Sequence, residues 1–341
     1  MNRILQEDDK PFVRDPAFEL FVRERSQAFV EMVKRVIIGE DELILSILVA
    51  LFSRSSIILE SRPGEGKSLL MRSAAAALSL EAKWHQFKGD DMPSEFIGYV
   101  DRTGEVVEGT VFTNILLADE LNRAPSKAKA PLLGAMEERF VKIPGTNVVR
   151  PMRDPFLMIA TQNPIEDGGD VYGLGRAELN RFGLKIKLEQ QSVENLAKII
   201  VRNPNRNLSQ VVPVFSREEV LDIIKYVQDL SGSAFVTEGG SSTDLHKSTV
   251  VDYIARLGAS TNFTEDKEES KKGASPRPMV SLWNLLNAYL LVTGKKHLSA
   301  RDIQHMVVKA WAHRMNTEDD KEAMKILSDT ILRIPAIPRM S

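Results

Sequence analysis

Ile57-Ile58-Leu59 and, one residue later, Ser61-Arg62-Pro63-Gly64-Glu65-Gly66-Lys67-Ser68 form the stretch that decides the fold of this chain. An apolar run leads into a glycine-containing loop, a Lys-Ser pair and an Ala/Leu-rich segment, Leu69 to Leu80, that is predicted to be a helix. Strand, tight loop and helix in this order are typical of a phosphate-binding loop. The backbone N–H groups of such a loop converge on phosphate oxygens, and the helix N-terminus adds partial positive charge.

Two side chains of this loop have expected roles toward a nucleotide and Mg²⁺. Lys67 would reach the β- and γ-phosphates, and the Ser68 hydroxyl would bind Mg²⁺. Ser61 stands where the consensus has glycine, so the loop entry must use a less extreme backbone conformation, with Pro63-Gly64 favouring the tight turn. Since short motifs give false positives, a surface turn before an Ala-rich helix is the alternative. The other predicted nucleotide contacts of the loop are Pro63, Gly64, Glu65, Gly66 and Leu69.

The composition limits the classes of protein to consider. The chain has 341 residues, 43% of them apolar, which is enough for two domains with a sizeable core. A formal net charge of −2 gives no overall electrostatic case for nucleic-acid binding. The absence of cysteine excludes disulfides and thiolate metal sites. The N-terminus shows no signal peptide, and the longest apolar stretch, Leu43 to Phe52, is too short to span a bilayer, so we expect a cytoplasmic protein without a membrane span.

A second apolar run, Asn114 to Ala118, ends in the carboxylates Asp119 and Glu120. A continuous apolar run of this length indicates a buried parallel strand, and ligands bind at the carboxyl ends of such strands. Asp119 could therefore hold Mg²⁺, and Glu120 could orient and deprotonate a water that attacks the γ-phosphate. The alternative is a strand followed by a solvated acidic turn. The phosphate loop upstream favours the metal-and-base interpretation over this alternative.

A side-chain amide and a pair of isoleucines are further candidates for the same site. A third apolar run, Phe156 to Thr161, ends in Gln162-Asn163-Pro164, and the Asn163 amide could sense the γ-phosphate or hold the attacking water. By itself Asn163 is better explained as a turn former before proline. Ile37 and Ile38, upstream of the loop, could pack against a purine ring, with ordinary core packing as the alternative.

The pattern changes near residue 190, after which helices dominate. We therefore predict a helical N-terminal lead over 1–35, an α/β nucleotide-binding core over 36–190 and an all-helical domain over 191–341. Within the core, glycines and turn residues over 89–111 favour a hairpin or inserted loop over a helix, and 142–149 is typical of a second hairpin. The polar stretches 232–246 and 262–274 are predicted to be mobile loops.

Taken together, these motifs resemble the MoxR family of AAA+ ATPases over nearly the whole chain. The most specific match is Leu116-Leu117-Ala118-Asp119-Glu120-Leu121-Asn122-Arg123-Ala124-Pro125, which is followed by Ala135-Met136-Glu137-Glu138-Arg139. Three more segments agree in order and spacing: Ile159 to Glu166, Leu179-Asn180-Arg181-Phe182 and Ala274-Ser275-Pro276-Arg277. Several such matches in sequence are far less expected by chance than one phosphate loop.

The resemblance implies a fold and a role for individual residues. The fold would be an AAA+ P-loop NTPase core, with a parallel sheet flanked by helices, and a C-terminal all-α lid. Asn163 would be the first sensor, and Arg277 the second sensor, contacting phosphate in cis. Arg181 would be the arginine finger offered to a neighbouring subunit, a role for which Arg123 and Arg176 also compete. A planar, permanently charged donor suits the charge on a transferring phosphoryl group.

The resemblance also implies an activity and partners. The protein would be an ATP hydrolase using Mg²⁺, assembled as a hexameric ring, with chaperone-like action on a partner complex. Relatives often work with von Willebrand factor A domain proteins in the maturation or cofactor loading of metalloenzymes, and the segments 98–112 and 142–149 would contact the client. Departures from the family pattern are Ser61, Gly66, Gly134 and the longer segments 200–214 and 232–248.

Two other readings of the function stay open. The chain could be a nucleotide-gated binding module that recruits a partner with turnover incidental. It could also be a DNA-associated AAA+ factor through a local patch at Lys127 and Lys129, although the near-zero net charge argues against nucleic acid. Hydrolases of other kinds are not supported, because the five histidines lack metal-ligand spacing and no Gly-x-Ser-x-Gly motif is present.

Overall fold

The computed structural model describes residues 12–60, 66–162, 174–188, 190–202, 208–232, 242–261, 276–315 and 320–333. Side chains at 176, 202, 242–249, 320 and 333 are outside this description. Several predicted features therefore lie outside the described residues: Pro63, Gly64, Glu65, Asn163, residues 233–241 of the predicted loop 232–246, and the stretch 262–274. The loop prediction was wrong over 242–246, which belong to the helix Ser242–Ser260.

The central feature is a parallel sheet of five strands, which lie side by side in the order β2 (Ala82–Gln86), β5 (Ile115–Asp119), β8 (Leu157–Gln162), β1 (Ile57–Glu60) and β9 (Leu184–Lys187). In register, Glu60 at the end of β1 lies beside Gln162 of β8 and Lys187 of β9, and Ala118 of β5 lies beside Ala160. The predicted acidic positions thus lie at the carboxyl edge of the sheet, beside the end of β8. The strands are β1 (Ile57–Glu60), β2 (Ala82–Gln86), β3 (Gly98–Val100), β4 (Val106–Glu108), β5 (Ile115–Asp119), β6 (Phe140–Lys142), β7 (Val149–Pro151), β8 (Leu157–Gln162) and β9 (Leu184–Lys187).

The helices flank this sheet and then form a separate helical layer. In the part of the chain that the structure describes, six belong to the first 190 residues: α1 (Pro16–Lys34), α2 (Asp41–Phe52), α3 (Lys67–Ala77), α4 (Pro93–Ile97), α5 (Ser126–Glu138) and α6 (Arg176–Leu179). Six follow them: α7 (Val193–Arg202), α8 (Arg217–Gly232), α9 (Ser242–Ser260), α10 (Pro276–Thr293), α11 (Ala300–Trp311) and α12 (Asp320–Arg333).

The two faces of the sheet pack against different helices, because neighbouring residues of a strand point to opposite faces. Ile57 and Leu59 face α1, α2, α3 and the C-terminal helices, whereas Ile58 faces α4 and α5. Burial on both faces explains why the strands are continuous apolar runs. The predicted fold class, an AAA+ α/β core with a helical lid, is confirmed by this arrangement.

Most predicted elements occur within one to five residues of their expected ends. The helix α1 begins at a proline, and its N-cap Asp15 accepts hydrogen bonds from the backbone N–H groups of Ala17 and Phe18. Both expected hairpins form, as β3-β4 and β6-β7. The expectation that no helix lies within 89–111 was wrong at α4, whose Phe96 and Ile97 are fully buried.

Among the described residues, none of the helices is both long enough and apolar enough to cross a lipid bilayer. The apolar stretch Leu43 to Phe52 is instead a core helix, since every one of these residues except Leu45 is buried. It packs against α1, α3, α8 and α10.

Candidate functional site

Residues far apart in the chain meet at the carboxyl edge of the sheet. The Lys67 ammonium, in the first turn of α3, lies 3.8 Å from Oδ1 of Asp119 at the end of β5. Both side chains are largely shielded, at 10% and 17% exposure. A lysine at a helix N-terminus beside a strand-end carboxylate is the arrangement that the sequence predicts for binding phosphate with a metal ion.

Thr161 of β8 fixes both acidic residues. Its hydroxyl donates to Oδ1 of Asp119 at 2.5 Å and accepts a bond from the Glu120 backbone N–H at 2.9 Å. The residue is fully buried, so its hydroxyl must find partners inside the protein. Sequence reasoning treated Thr161 only as a strand residue, although a hydroxyl at the end of the strand beside β5 was a usable signal.

Glu120 lies in a constrained conformation. Its backbone is left-handed, with φ 54° and ψ 38°, a region that costs energy for any residue except glycine. Its Oε2 accepts a hydrogen bond from Nε2 of Gln86 at 3.3 Å and lies 3.4 Å from Nε of Arg123. Gln86 ends the neighbouring strand β2, and sequence reasoning missed it. These contacts hold the proposed base at the edge of the sheet.

Glu60 ties three strand ends together. Its carboxylate lies 3.0 Å from Nζ of Lys185 and 3.4 Å from Nζ of Lys187, and it accepts a hydrogen bond from Nε2 of Gln162 at 3.1 Å. Burial raises the pKa of Glu60, but the two lysines and the amide outweigh this effect and hold the pKa below its usual value. The ends of β1, β8 and β9 are thereby joined at the carboxyl edge of the sheet.

The residues at this edge fit a hard divalent cation. Asp119 supplies a carboxylate and Ser68, exposed in the first turn of α3, supplies a hydroxyl, and both are oxygen ligands of the kind Mg²⁺ takes. Gly66 precedes α3 at φ 77°, a conformation that glycine adopts without strain. The loop can therefore turn sharply into the helix and present Lys67 and Ser68 at its start.

The two isoleucines predicted to contact a purine lie in a well-packed region. Ile37 is buried within the main core cluster, and Ile38 is half-buried. Next to them Glu40 accepts a hydrogen bond from Gln191, and the Asn195 side chain closes over Gly39. The start of the helical lid thus meets the 37–40 segment, while Ile37 itself has the core environment that was its alternative.

Arg181 lies at the opposite, amino edge of the sheet. It precedes β9, and the neighbouring Gly183 N–H donates to the carbonyl of Ser56, just before β1, at 2.9 Å. The Phe182 carbonyl accepts hydrogen bonds from Nε2 of His313 at 3.1 Å and from Arg314 at 2.5 Å. A four-residue strand is about 13 Å long, so Arg181 is separated from the Lys67 edge by the depth of the sheet.

Arg277 lies beside Arg181 rather than beside Lys67. Its NH1 donates to Oε1 of Glu137 at 2.8 Å, and Nε of Arg181 lies 3.7 Å from the same oxygen. Glu137 is near the end of α5, where Arg139 donates to the carbonyl of Phe156, immediately before β8. The resemblance implies that Arg277 contacts a phosphate bound in its own chain. The structure instead places Arg277 at the amino edge of the sheet, because the lid holds the start of α10 there.

The other arginines considered for the finger have different surroundings. Arg123 lies at the carboxyl edge and contacts Glu120 of its own chain. Arg176 begins α6, and its side chain is outside the description. Among the three candidates, Arg181 is placed at the amino edge with its side chain 29% exposed.

Lys127 and Lys129 cannot both contact a nucleic-acid backbone. Lys129 is 2% exposed, and its Nζ lies 3.1 Å from Oε2 of Glu178. This buried ion pair anchors α6 to α5. The suggestion of a DNA-binding patch was wrong on this point.

Comparisons with known proteins agree with the geometry. Residues 56–184 match the family described as "ATPase family associated with various cellular activities (AAA)". The chain is 32% identical over 324 residues to Chaperone MoxR1 of Mycobacterium tuberculosis, covering 91% of this chain and 81% of that protein. It is 28% identical over 310 residues to the Bacillus subtilis protein YeaC, covering 89% and 91% of the two chains.

A solved structure has the same fold. The crystal structure of a Cytophaga hutchinsonii protein described as an ATPase superposes with a TM-score of 0.77 at 28% identity, covering 94% of this chain and 97% of that one. The similarity therefore includes the helical lid as well as the sheet.

Proposed function

The chain belongs to the MoxR family of AAA+ ATPases and is an ATP hydrolase, and from this premise we propose that it couples Mg²⁺-dependent ATP hydrolysis to chaperone-like remodelling of a partner protein. The observation that carries the proposal is the approach of the Lys67 ammonium to Asp119, with Glu120 as the next residue. A phosphate-binding cation, a metal-binding carboxylate and a base are the groups that phosphoryl transfer to water requires.

Each group at the carboxyl edge has a distinct task in the proposed reaction. Lys67 binds the β- and γ-phosphate oxygens, and Asp119 and Ser68 would hold Mg²⁺, which when bound neutralises charge on the phosphates. Glu120 orients the attacking water and accepts its proton, and Gln86 keeps that carboxylate in place. Asn163, which follows β8, is assigned the second contact with the water or the γ-phosphate.

We propose further that the active form is a ring, hexameric as the family resemblance implies. Arg181 and Arg277 lie at the edge opposite Lys67 and so face away from a triphosphate bound in their own chain. In a ring the amino edge of one subunit can face the carboxyl edge of the next. Both arginines would then stabilise the transferring phosphoryl group of the neighbouring subunit.

The hairpins support a remodelling function. Tyr99 and Val107, cross-strand partners in β3-β4, and Val149 in β7 are exposed apolar side chains. Apolar side chains at hairpins are suited to gripping unfolded or loosely folded segments. We assign the client contact to these hairpins and a von Willebrand factor A domain protein as partner, with maturation or metal loading of its complex as the outcome. A cytoplasmic location, where ATP is supplied, is part of the proposal.

Two substitutions test the hydrolytic site in steady state. Lys67→Ala should abolish both ATP binding and hydrolysis, whereas Glu120→Gln should bind ATP normally and lose turnover by at least about a hundredfold. Undiminished hydrolysis by Glu120→Gln would contradict the proposal. Full partner recruitment and full cellular activity by the same variant would instead favour a nucleotide-gated binding module.

A further inference from the structure

We propose that Glu137 is a positioning residue that holds Arg181 and Arg277 as a pair, in the arrangement required by the triphosphate of a neighbouring subunit. This inference rests on the proposed function and names a residue to which the resemblance gives no role. It begins from a single carboxylate oxygen, Oε1, which lies 2.8 Å from NH1 of Arg277 and 3.7 Å from Nε of Arg181.

The two arginines come from separate parts of the fold. Arg181 lies between α6 and β9 in the core, and Arg277 begins the lid helix α10. Two guanidinium groups held this close repel each other, and a carboxylate between them offsets that repulsion. Without Glu137 the side chains would separate, because nothing else in the described part of the chain is recorded in contact with both guanidinium groups.

The backbones that carry the arginines are themselves tied together. The buried Arg314 donates to the Phe182 carbonyl at 2.5 Å and to Oγ of Ser281 at 3.3 Å. Phe182 follows Arg181, and Ser281 lies one helical turn after Arg277. Arg314 thus fixes the two chain segments, and Glu137 fixes the two side-chain ends.

The energetics favour a positioning role over a stabilising one. The side chains of Glu137, Arg181 and Arg277 are 31%, 29% and 59% exposed. Ion pairs this exposed contribute little to stability. Their effect on catalysis is larger, because a guanidinium that is already held in place needs no ordering of its flexible side chain during the reaction.

The geometry also leaves the arginines able to bind an anion. Each guanidinium has five N–H donors, and the contacts to Glu137 involve NH1 of Arg277 and Nε of Arg181. Two positive charges against one negative charge leave the cluster with a net positive charge. It can therefore bind a phosphate while Glu137 remains in place.

Glu138 provides a matched control. It is the next residue of α5, it is also exposed, and the structure records no ion pair for it within the described residues. Substitution of Glu138 by glutamine changes the charge of the chain and of this helix end by the same amount. It leaves the contacts of Arg181 and Arg277 unchanged.

Steady-state kinetics on Glu137→Gln, Glu137→Asp and Glu138→Gln give the first test. We expect Glu137→Gln to lower kcat by about ten- to a hundredfold, since misplaced groups cost this much, with ATP binding to the variant's own Lys67 site unchanged. The kcat of Glu137→Asp should lie between those of Glu137→Gln and the unaltered protein, and the kcat of Glu138→Gln should match that of the unaltered protein. Thermal unfolding should be nearly the same for all four proteins. An unchanged or increased kcat for Glu137→Gln would overturn the proposal.

Subunit mixing separates a defect in trans from a defect in the variant's own site. Glu120→Gln chains have intact arginines, and Glu137→Gln chains have an intact base. A mixture should therefore hydrolyse ATP faster than the sum of the two separate proteins. No gain on mixing, or failure of Glu137→Gln to assemble with Glu120→Gln chains, would overturn the role of Glu137. Undiminished hydrolysis by Glu120→Gln alone would overturn the proposed function instead.

Discussion

Thr161 illustrates how a single buried hydroxyl organises the hydrolytic edge of the sheet. It donates to Asp119 and accepts from the backbone of Glu120, so it sets the relative positions of the metal ligand and the base. Because the side chain is fully buried, its removal would leave polar groups without partners. A buried donor or acceptor left without its partner costs about 1 to 3 kcal/mol.

Thr161→Val tests this role, because valine keeps the shape and loses only the hydroxyl. We expect a loss of about 1 to 3 kcal/mol in unfolding free energy and a fall in kcat, since Asp119 and Glu120 lose a shared contact. Denaturant titration and ATPase assays measure these effects. Thr161→Ser, which retains the hydroxyl, is the control and should keep most of the activity. Equal kcat values for Thr161→Val and the unaltered protein would exclude the role.

Glu60 should make stability depend on pH in the acidic range. Its pKa is lowered in the folded chain, so its contribution to stability is fully present above the unfolded pKa of 4.5 and is lost as pH falls through the lower folded pKa. Glu60→Gln should therefore be less stable than the unaltered protein near neutral pH. The difference in urea midpoint should shrink in strongly acidic solution. A pH-independent difference would show that the lysine contacts contribute nothing to stability.

At the residue scale, the sequence predicted the side chains with fixed chemistry. The sequence alone predicted that Lys67 and Asp119 lie close together, because parallel strands end at the same edge of the sheet. Gln86 and Glu137 could not be found in this way. They are ordinary polar residues whose partners come from distant segments, and only the register of β2 and β5 and the packing of α5 bring them into contact.

The short segment that carries Arg181 is held by two other elements. On one side, Glu178 of α6 accepts from the buried Lys129 of α5. On the other, His313 and Arg314, which follow α11, bind the Phe182 carbonyl. The segment is thus anchored to both the core and the lid, which suits a group that must be presented accurately to another subunit.

Lys129→Met should destabilise the protein by about 3 to 5 kcal/mol, because it leaves Glu178 partly buried without its cation. The double variant Lys129→Met/Glu178→Met should recover part of this loss, since no unpaired charge remains. Denaturant unfolding of the three proteins gives the comparison. A single variant as stable as the unaltered protein would show that the pair does not anchor α6.

His313 should produce a second pH effect. Burial, reinforced by the nearby charges of Arg314 and Lys185, lowers its pKa to about 3, whereas the unfolded chain has the ordinary value of 6.5. As pH falls below the unfolded value, the unfolded state gains a proton that the folded state does not. Stability should then decrease by up to about 1.4 kcal/mol per pH unit.

His313→Gln should remove this pH effect, because a glutamine amide can still donate to the Phe182 carbonyl but does not titrate. Unfolding free energies at several pH values between neutral and mildly acidic give the slope. We expect a shallower slope for the variant, and identical slopes would contradict the assignment of His313 as a buried neutral residue.

At the element scale, long periodic segments were predictable and short ones were not. The helix α4 has five residues, too few to show a period, and it forms because Phe96 and Ile97 enter the second core cluster. The hairpins were predictable because glycine and turn residues mark their ends. After α11 the chain forms a short 3-10 turn, Ala312–Arg314, which has no signal in the sequence and directs His313 and Arg314 at the Phe182 carbonyl.

The helical lid and the nucleotide-binding core share one hydrophobic cluster. Leu59 and Ile159 of the sheet belong to the same cluster as Leu282 and Leu286 of α10. The division near 190 remains a prediction about domains, but the packing shows that the lid is closely joined to α1 and α2. The position of Arg277 follows from that packing, which the sequence alone could not supply.

The mass of the protein in solution tests the ring. With ATP bound we expect an assembly close to six chains, and Arg181→Ala should assemble while losing hydrolysis. Light scattering with and without ATP measures the mass. A monomer that hydrolyses ATP at an undiminished rate would contradict the assignment of Arg181 and Arg277 to a neighbouring subunit.

The most direct test of the central claim is a single-turnover measurement on Glu120→Gln with labelled ATP and Mg²⁺. If Lys67, Asp119 and Glu120 form one hydrolytic site, the variant should hold ATP at its normal affinity and release no phosphate over many turnover times of the unaltered protein. Conversion of the bound ATP to ADP at the rate of the unaltered protein would contradict the account.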